Sequence, residues 1–153
     1  MRVRFAPAGS LRGLEARTAF RGGFAEAVTP DGGLVARAPG RRSLLAILAR
    51  LGLRPTAGRA PRPKAAVAAG SPFGVKVWRA CLRIPLGRTT TYGALARKVG
   101  CRSARAIGGA LAANPLAGVI PCHRVVAAGG PGGFAWGGAR KRRWLRKEAR
   151  GTA

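Results

Sequence analysis

An extreme excess of basic residues limits what this chain can become. Its 153 residues include 29 Lys and Arg but only four acids, Glu15, Glu26, Asp31 and Glu148, so the formal net charge is +25. A chain with this charge repels itself and is attracted to polyanions. Hydrophobic residues make up 47% of the chain, which is enough to build a core and argues against disorder throughout.

The length fits one globular domain, or one domain with a small appendage. No apolar run approaches the roughly 20 residues that span a bilayer, which argues against an integral membrane protein. The N-terminus also lacks the apolar segment of a signal peptide. These features favour a cytosolic, nucleic-acid-associated protein. A GC-rich coding bias toward Arg, Ala, Gly and Pro is an alternative source of part of the total charge, but it does not explain clustering of the charges.

The cysteine and histidine content narrows the chemistry. The chain has three cysteines, Cys81, Cys101 and Cys122, and a single histidine, His123. An odd number of widely spaced cysteines argues against a disulfide framework. One histidine with scattered cysteines is a poor zinc site, and four acids provide few ligands for calcium or magnesium. We therefore expect no metal, and a thiol as the reactive group if the protein is an enzyme.

Residues 1–70 carry weak structural signals. An Asp-Gly turn within 28–35 predicts two short strands. A helix is predicted over 43–51, with Ser43 as its N-cap and Gly52 as its end. The predicted domains are a short, divergent α/β part over 1–52, a Pro-, Arg- and Ala-rich linker over 53–70, and a mainly helical domain over 71–153.

The second part has more regular helix signals. Ser71-Pro72 is typical of a helix start, and this helix is predicted to reach about Arg83. Thr91 and Ser103 are predicted to cap two further short helices, which would cover 92–99 and 103–113. Two short helices joined around a glycine indicate a helix-turn-helix. Together with the positive charge at the start of the second helix, carried by Arg102 and Arg105, this pattern favours DNA binding.

A Pro-Cys-His-Arg run at 121–124 interrupts an apolar, strand-like stretch over 119–126. Two basic neighbours favour the thiolate form of Cys122, and the thiolate is a strong nucleophile. Neighbouring side chains on a strand point to opposite faces, however. Spacing alone therefore leaves a second interpretation open, in which a buried structural cysteine lies beside an incidental histidine.

The run and the motifs around it resemble the methylated-DNA–protein-cysteine methyltransferases, also called O6-alkylguanine-DNA alkyltransferases. The resemblance covers about 71–150. The matching motifs follow the family's order and spacing, and they are Phe73-x-x-x-Val77-Trp78, Ile84-Pro85-x-Gly87, Thr91-Tyr92-Gly93-x-Leu95-Ala96, Ala104 to Ala110, Asn114-Pro115, Pro121 to Val125 and Gly137 to Glu148. It implies an α/β protein whose C-terminal domain contains a winged-helix-like helix-turn-helix.

The resemblance also implies an activity, which is DNA repair by direct reversal. Cys122 would take the alkyl group from O6-alkylguanine, and also from O4-alkylthymine, in double-stranded DNA. The helix-turn-helix would bind the minor groove and the damaged base would be flipped out, because its reactive atom cannot be reached inside the duplex. The thioether product would consume one protein molecule per lesion. The resemblance implies a cytoplasmic, DNA-associated monomer of the bacterial type that needs no cofactor.

Individual roles follow from the same resemblance. The catalytic set comprises the nucleophile, a histidine that acts through water, the acid that holds it, a tyrosine that binds the flipped guanine and an asparagine that braces the turn: Cys122, His123, Glu148, Tyr92 and Asn114. The DNA-binding set comprises an intruding arginine and its surroundings: Arg105, Arg102, Thr91, Gly108, Gly109, Ala110 and Arg124. The substrate pocket is expected to include Val125, Ala135 and Trp136.

Other interpretations of these residues remain open at this stage. Arg105 could make an ordinary phosphate contact, Glu148 a surface ion pair of little energetic value, and Trp136 a plain core contact. Two other functions also compete. An alkyltransferase-like protein would bind lesions without transferring the group, but proteins of that kind lack the cysteine that is present here. A general nucleic-acid-packaging protein would explain the charge but not the catalytic set.

Overall fold

The computed structural model describes residues 2–21 and 23–151. Residues 1, 22, 152 and 153, which fall within the predicted domain ranges, lie outside the described part. The chain divides into two compact units, Met1–Val75 and Lys76–Ala153. Within the described residues, no helix is both long enough and apolar enough to cross a membrane. The fold is mixed α/β, as the sequence predicts.

The first unit is a six-stranded sheet with one helix. Its elements are β1 (Val3–Pro7), β2 (Glu15–Arg21), β3 (Phe24–Val28), β4 (Gly33–Ala38), α1 (Arg41–Leu51), β5 (Arg54–Thr56) and β6 (Ala65–Gly70). The strand order is β1-β6-β4-β3-β2-β5. The pairs β2–β3 and β3–β4 are antiparallel. The pairs β1–β6, β4–β6 and β2–β5 are parallel. Leu44 and Leu48 of α1 belong to a core that includes the alanines of β3 and β4.

The Asp-Gly turn joins β3 and β4 in the predicted place. Its backbone bonds run from the Thr29 N–H to the Gly33 carbonyl (2.9 Å) and from the Gly32 N–H to the Thr29 carbonyl (2.9 Å). The Thr29 hydroxyl also donates to the Asp31 carboxylate. Gly32 has a φ of +92°, a conformation that side-chain-bearing residues rarely adopt. The local turn residues therefore explain this hairpin.

Two predictions for the first unit need correction. Residues 53–70 are not simply a linker, because β5 pairs with β2, and β6 pairs in parallel with both β1 and β4. These pairings connect distant segments, and short alanine-rich strands carry little sequence signal. Ser43 does not cap α1, which begins two residues earlier behind Gly40 and has no side-chain cap. Gly52 does end the helix, with a φ of +70°.

The second unit is mainly helical. Helix α2 (Pro72–Leu82) begins before the unit boundary, and the later elements are β7 (Thr90–Thr91), α3 (Tyr92–Lys98), α4 (Ala104–Ala112), a 3₁₀ turn (Cys122–Arg124), β8 (Val125–Val126) and α5 (Gly138–Gly151). Thr91 caps α3 by accepting from the Ala94 N–H (3.1 Å). Ser103 caps α4 by accepting from the Ala106 N–H (3.1 Å). These caps satisfy backbone donors that a helix start leaves unpaired.

The core of the second unit positions the segment that contains Cys122. Trp78 is buried and its indole Nε1–H donates to the Ala110 carbonyl (2.8 Å), which ties α2 to α4. The stretch over 119–126, which was expected to be strand-like, instead forms the 3₁₀ turn followed by the two-residue strand β8. This strand pairs in parallel with β7. The turn matters because it places the cysteine outside a regular strand.

Candidate active site

Cys122 lies at the start of the 3₁₀ turn, where Asn114 holds it from one side. The Asn114 Nδ2 donates to the Ile120 carbonyl (3.3 Å) and contacts the Cys122 Sγ at 3.3 Å. The Asn114 Oδ1 accepts from the Leu116 N–H (2.9 Å). Asn114 and Cys122 are both buried. One amide side chain therefore braces the turn and directs a hydrogen-bond donor at the sulfur.

His123 is buried beside a carboxylate. Its Nε2 lies 2.8 Å from the Glu148 Oε1, and its Nδ1 is buried without a hydrogen-bond partner among the described residues. A carboxylate can only accept, so Nε2 carries the hydrogen and Nδ1 of the neutral ring carries a free lone pair. The contact with Glu148 thus selects the tautomer that can act as a base at Nδ1.

Arg124 faces inward and holds the same carboxylate. Its Nε donates to the Glu148 Oε2 (2.8 Å), its Nη2 to the Glu148 Oε1 (3.0 Å), and its Nη1 to the Ile84 carbonyl (2.7 Å). The predicted DNA contact of Arg124 is therefore not what the structure shows. Two parallel bonds to one carboxylate make a geometrically well-defined pair, so Arg124 positions Glu148.

At both Cys122 and His123, burial shifts the pKa in one direction and a neighbouring charged group shifts it in the other. Burial raises the pKa of the Cys122 thiol, while the Asn114 hydrogen bond and the positive charge of Lys141 lower it in part. Burial lowers the pKa of His123, and Glu148 partly offsets this effect. Burial alone would raise the pKa of Glu148, but its hydrogen bonds from Arg124 and His123 outweigh burial, so that this pKa is lowered. At neutral pH the site therefore holds a neutral imidazole and a charged carboxylate.

Lys141 is a site residue that the sequence analysis missed. It is fully buried, and its Nζ donates to the Val125 carbonyl (2.6 Å) and to the Gly133 carbonyl (3.0 Å). The Gly133 carbonyl also accepts from the Tyr92 hydroxyl (3.0 Å), and Nζ lies 5.5 Å from the centre of the Tyr92 ring. Lys141 thus ties β8, the loop before α5 and α3 together around a buried positive charge.

Lys141 could have been found from helical periodicity. It lies seven residues before Glu148 and three before Trp144, so all three share one face of α5. Trp144 also had no predicted role, and the same periodicity would have placed it beside Glu148. Its ring centroid lies 4.9 Å from that of His123 in an edge-on arrangement, and it also contacts Phe134 and Trp136. The Phe134 ring also lies edge-on to the imidazole, with 6.5 Å between centroids, so Trp144 and Phe134 border His123.

A cavity of about 570 Å³ opens beside the sulfur. Its walls come from α3, α4, the turn around Cys122 and the loop before α5, and they consist of Tyr92, Ala104, Arg105, Gly108, Gly109, Leu111, Ala112, Asn114, Ala117, Cys122, Gly133, Phe134, Ala135 and Trp136. A Cβ added at Gly108 or Gly109 would meet no heavy atom within 4 Å. The α4 surface beside the cavity is therefore open.

The remaining predicted residues lie elsewhere. Ala110 is buried, and its carbonyl accepts from the Trp78 indole. Thr91 caps α3, Arg102 is exposed before α4, and Val125 is buried in β8. In the described part of the chain, no group of three or more His, Cys, Asp or Glu side chains is placed to hold a metal ion.

Known proteins resemble this chain in sequence and in fold. A family model described as "6-O-methylguanine DNA methyltransferase, DNA binding domain" matches residues 72–150. The methylated-DNA–protein-cysteine methyltransferase of Salmonella typhimurium is 45% identical over 78 residues, which are 50% of this chain and 45% of that protein. A probable methylated-DNA–protein-cysteine methyltransferase of Acanthamoeba polyphaga mimivirus is 44% identical over 77 residues, 50% of this chain and 51% of that protein. The chain thus spans about half the length of these curated relatives.

Solved structures extend the similarity beyond the matched domain. The crystal structure of Mycobacterium tuberculosis OGT in complex with DNA is 27% identical to this chain and has a TM-score of 0.66, covering 90% of this chain and 94% of that one. A crystal structure of the M. tuberculosis O6-methylguanine methyltransferase has a TM-score of 0.64 at 26% identity, covering 90% and 93%. These comparisons confirm the resemblance seen in the sequence: the chain belongs to the 6-O-methylguanine DNA methyltransferase family.

Proposed function

We propose that this protein repairs alkylated DNA by transferring the alkyl group of O6-alkylguanine to Cys122. The observation that carries the proposal is the position of the Cys122 thiol, which lines the cavity while Asn114 contacts its sulfur at 3.3 Å. The next residue, His123, has a neutral ring with an unpartnered Nδ1. A nucleophile, a base and an acid that orients the base make up the general arrangement for nucleophilic catalysis by a weak nucleophile.

The proposed reaction is an in-line displacement in which the electrons balance. The Cys122 sulfur forms a bond to the alkyl carbon, and the bond between that carbon and guanine O6 breaks with its electron pair moving to the base. The thiol proton passes through a water molecule to His123 Nδ1, and Glu148 stabilises the imidazolium that results. The guanine anion takes up one proton from water, so the products are a thioether on the protein and an unmodified guanine. Each molecule therefore acts once and needs no cofactor.

The cavity walls suggest how the flipped base would be held. Tyr92 would hydrogen-bond the base and help neutralise the charge on guanine as O6 leaves. Because the Tyr92 hydroxyl is bonded to the Gly133 carbonyl, it would exchange this partner for the base. Main-chain groups of Cys122 and Val125 would bind the guanine amine, and Lys141 holds the Val125 carbonyl in place. Ala135 and Trp136 would border the alkyl group.

Helices α3 and α4 would form the winged-helix-like helix-turn-helix that enters the minor groove. Arg105 lines the cavity, which supports its role as the residue that intrudes where the base has left. The open surface at Gly108 and Gly109 would allow the DNA backbone to approach closely, and Arg102 would contact phosphate. We further propose that the protein acts as a monomer, in the cytoplasm, on double-stranded DNA.

Intact-mass spectrometry after incubation with an oligonucleotide that carries one O6-methylguanine tests the proposal. We expect a gain of about 14 Da per molecule, mapped to the peptide that contains Cys122 and saturating at one group. Cys122→Ser should abolish the gain but keep DNA affinity. Cys101→Ser, which removes a partly exposed thiol outside the cavity, is the matched control and should react like the parent.

A lesion-binding protein without transfer activity is the second candidate function. It would bind the same oligonucleotide tightly and gain no mass. The presence of Cys122, with a hydrogen-bond donor at its sulfur, favours transfer instead. Running the assay in parallel with O4-methylthymine tests the wider substrate range, in which the same thioether would form. A protein that only packages nucleic acid would bind damaged and undamaged duplexes equally and would also gain no mass.

A further inference from the structure

Helix α5 carries a basic surface that the proposed reaction does not use. We call it the outer patch, and it consists of Arg142, Arg143, Arg146 and Lys147, all of them exposed. The inner face of the same helix supplies Lys141, Trp144 and Glu148 to the active site. The helix therefore separates two groups of residues with different surroundings.

Helical geometry places the outer patch on one side. Its members occupy positions i, i+1, i+4 and i+5, which form two neighbouring rows along one side of a helix with 3.6 residues per turn. At about 1.5 Å per residue the patch spans about 7.5 Å along the helix axis. This length corresponds to about two base-pair steps of duplex DNA, which carries a phosphate about every 3.4 Å along each strand.

The charges of the outer patch are unfavourable for the isolated helix. Arg142 and Arg146 are like charges four residues apart, and so are Arg143 and Lys147, a spacing that destabilises helices. The acid of this helix, Glu148, points to the other face and is held by Arg124 and His123. Across residues 2–21 and 23–151, no ion pair joins the outer patch to a carboxylate. A polyanion bound at this surface would relieve the repulsion.

We infer that the outer patch binds the phosphate backbone of duplex DNA, at a place separate from the cavity that would receive the flipped base. The contact would be independent of sequence, since guanidinium and ammonium groups here would meet phosphates and no base edge. It would add affinity and hold the protein on undamaged DNA between lesions. The inference rests on the proposed DNA substrate.

The salt dependence of DNA affinity tests the outer patch directly. The patch variant carries Arg142→Gln, Arg143→Gln, Arg146→Gln and Lys147→Gln. The matched control loses the same number of charges from exposed positions of the first unit, through Arg41→Gln, Arg42→Gln, Arg50→Gln and Arg54→Gln. Affinity for an undamaged duplex of about 20 base pairs is measured over a range of salt concentrations for both variants and the parent, because each phosphate contact contributes about 0.9 to the logarithmic slope.

We expect the slope to fall by about 3 in the patch variant and by less than about 1 in the control. Equal slopes in the two variants would overturn the inference, because the charges would then act only through the net charge of the protein. Slopes equal to that of the parent in both variants would also overturn the inference.

A second measurement separates this inference from the proposed function. The free base O6-methylguanine carries no phosphate, so it can enter the cavity but offers the outer patch nothing to bind. Cys122 of the patch variant should take the methyl group from this substrate at the same rate as Cys122 of the parent. Slower transfer to a correctly folded patch variant would overturn the inference, since the patch would then act through the active site. If the parent gains no methyl group from any substrate, the proposed function fails, and the slopes still decide whether the patch binds DNA.

Discussion

At the scale of single residues, the site depends on polar groups that are held away from water by specific partners. Asn114 uses both atoms of its amide, His123 is fixed in one tautomer by Glu148, and Arg124 fixes Glu148 in turn. Buried polar networks of this kind are rigid when every member is satisfied. The unpartnered Nδ1 of His123 is the exception, and it is the atom that the proposed reaction requires as a base.

Protonation of His123 should set the acid limit of alkyl transfer. Because burial lowers its pKa from the ordinary value, the ring stays neutral at pH 7 and loses its basic lone pair only in more acidic solution. The ordinary histidine pKa is about 6.5, and we expect the single-turnover rate to fall only in solution more acidic than this value. The folded state disfavours the charged ring, so the stability that this group contributes is present above that pH and lost below it.

Rapid-quench measurements between about pH 5 and pH 8 check this expectation against the ordinary histidine range. His123→Gln provides the comparison, because it removes the titrating ring and should give a slower reaction without the same acid limb. A parent rate that stays constant to the lowest pH would contradict the role of His123 as the base.

Lys141→Met should make the Cys122 thiol less reactive. The substitution removes the buried positive charge that lowers the pKa of this thiol, and it leaves the Val125 and Gly133 carbonyls without their donor. We expect slower alkylation of Cys122 by iodoacetamide at neutral pH, with a loss of about 1–3 kcal/mol in the free energy of unfolding. Peptide mass mapping gives the rate at Cys122 itself.

Lys147→Met is the control for this experiment. It removes the same charge from the outer face of the same helix, where the side chain is exposed. The Cys122 alkylation rate should stay at the parent value, with stability changed by no more than about 0.5 kcal/mol. Equal Cys122 rates in the two variants would mean that the buried charge of Lys141 does not activate the thiol.

At the scale of elements, helix ends and short pairings position the site more than regular structure does. Helix α4 begins at a serine cap and is tied to α2 through the Trp78 indole. The two-residue strands β7 and β8 connect the start of α3 to the 3₁₀ turn that contains Cys122. Helix α5 then places Lys141 and Glu148 on one face, two turns apart. Each element is short, so its end geometry decides where its side chains lie.

The two serines predicted as helix caps should respond differently to substitution. Ser103→Ala removes an observed cap bond to the Ala106 N–H and should cost about 1 kcal/mol. Ser43 lies inside the first turn of α1, which has no side-chain cap, so Ser43→Ala should change stability by less than about 0.5 kcal/mol. Amide hydrogen exchange across α4 and α1 resolves the two effects. Similar losses in both variants would contradict the assignment of the caps.

At the scale of the whole molecule, the charge of +25 opposes folding. Only a few ion pairs join the described residues, and they are concentrated on Glu26 and Glu148. Most of the positive charge is therefore unneutralised within the protein. The apolar cores of the two units have to compensate for this repulsion, and a bound polyanion would reduce it.

In the absence of DNA, added salt should stabilise the folded state of this protein. Raising the ionic strength from about 0.01 M to about 0.15 M shortens the screening length from about 30 Å to about 8 Å, which weakens repulsion between the basic side chains. We expect the Tm to rise over this range, measured by circular dichroism. Sodium and potassium chloride should act alike, because screening depends on ionic strength. A Tm that is constant or falls would show that self-repulsion is not a significant term.

Local residue patterns predicted several parts of the structure. The Asp-Gly hairpin, the caps at Thr91 and Ser103 and the end of α1 at Gly52 are all present. Each depends on hydrogen bonds or backbone preferences within about four residues, so the sequence alone contains the cause. The motif around Cys122 likewise indicated the family, which the comparisons confirm.

Tertiary structure alone decided the features that depend on distant partners. Strand β6 pairs with β1, more than fifty residues away, and nothing in an alanine-rich segment specifies that partner. Arg124 binds Glu148, 24 residues later, so a basic residue that the sequence assigned to DNA binding instead holds the acid beside His123. Lys141 became a buried cation because carbonyls of β8 and the loop before α5 meet there. A charged side chain can be buried only where such partners converge, and it is the fold that brings them together.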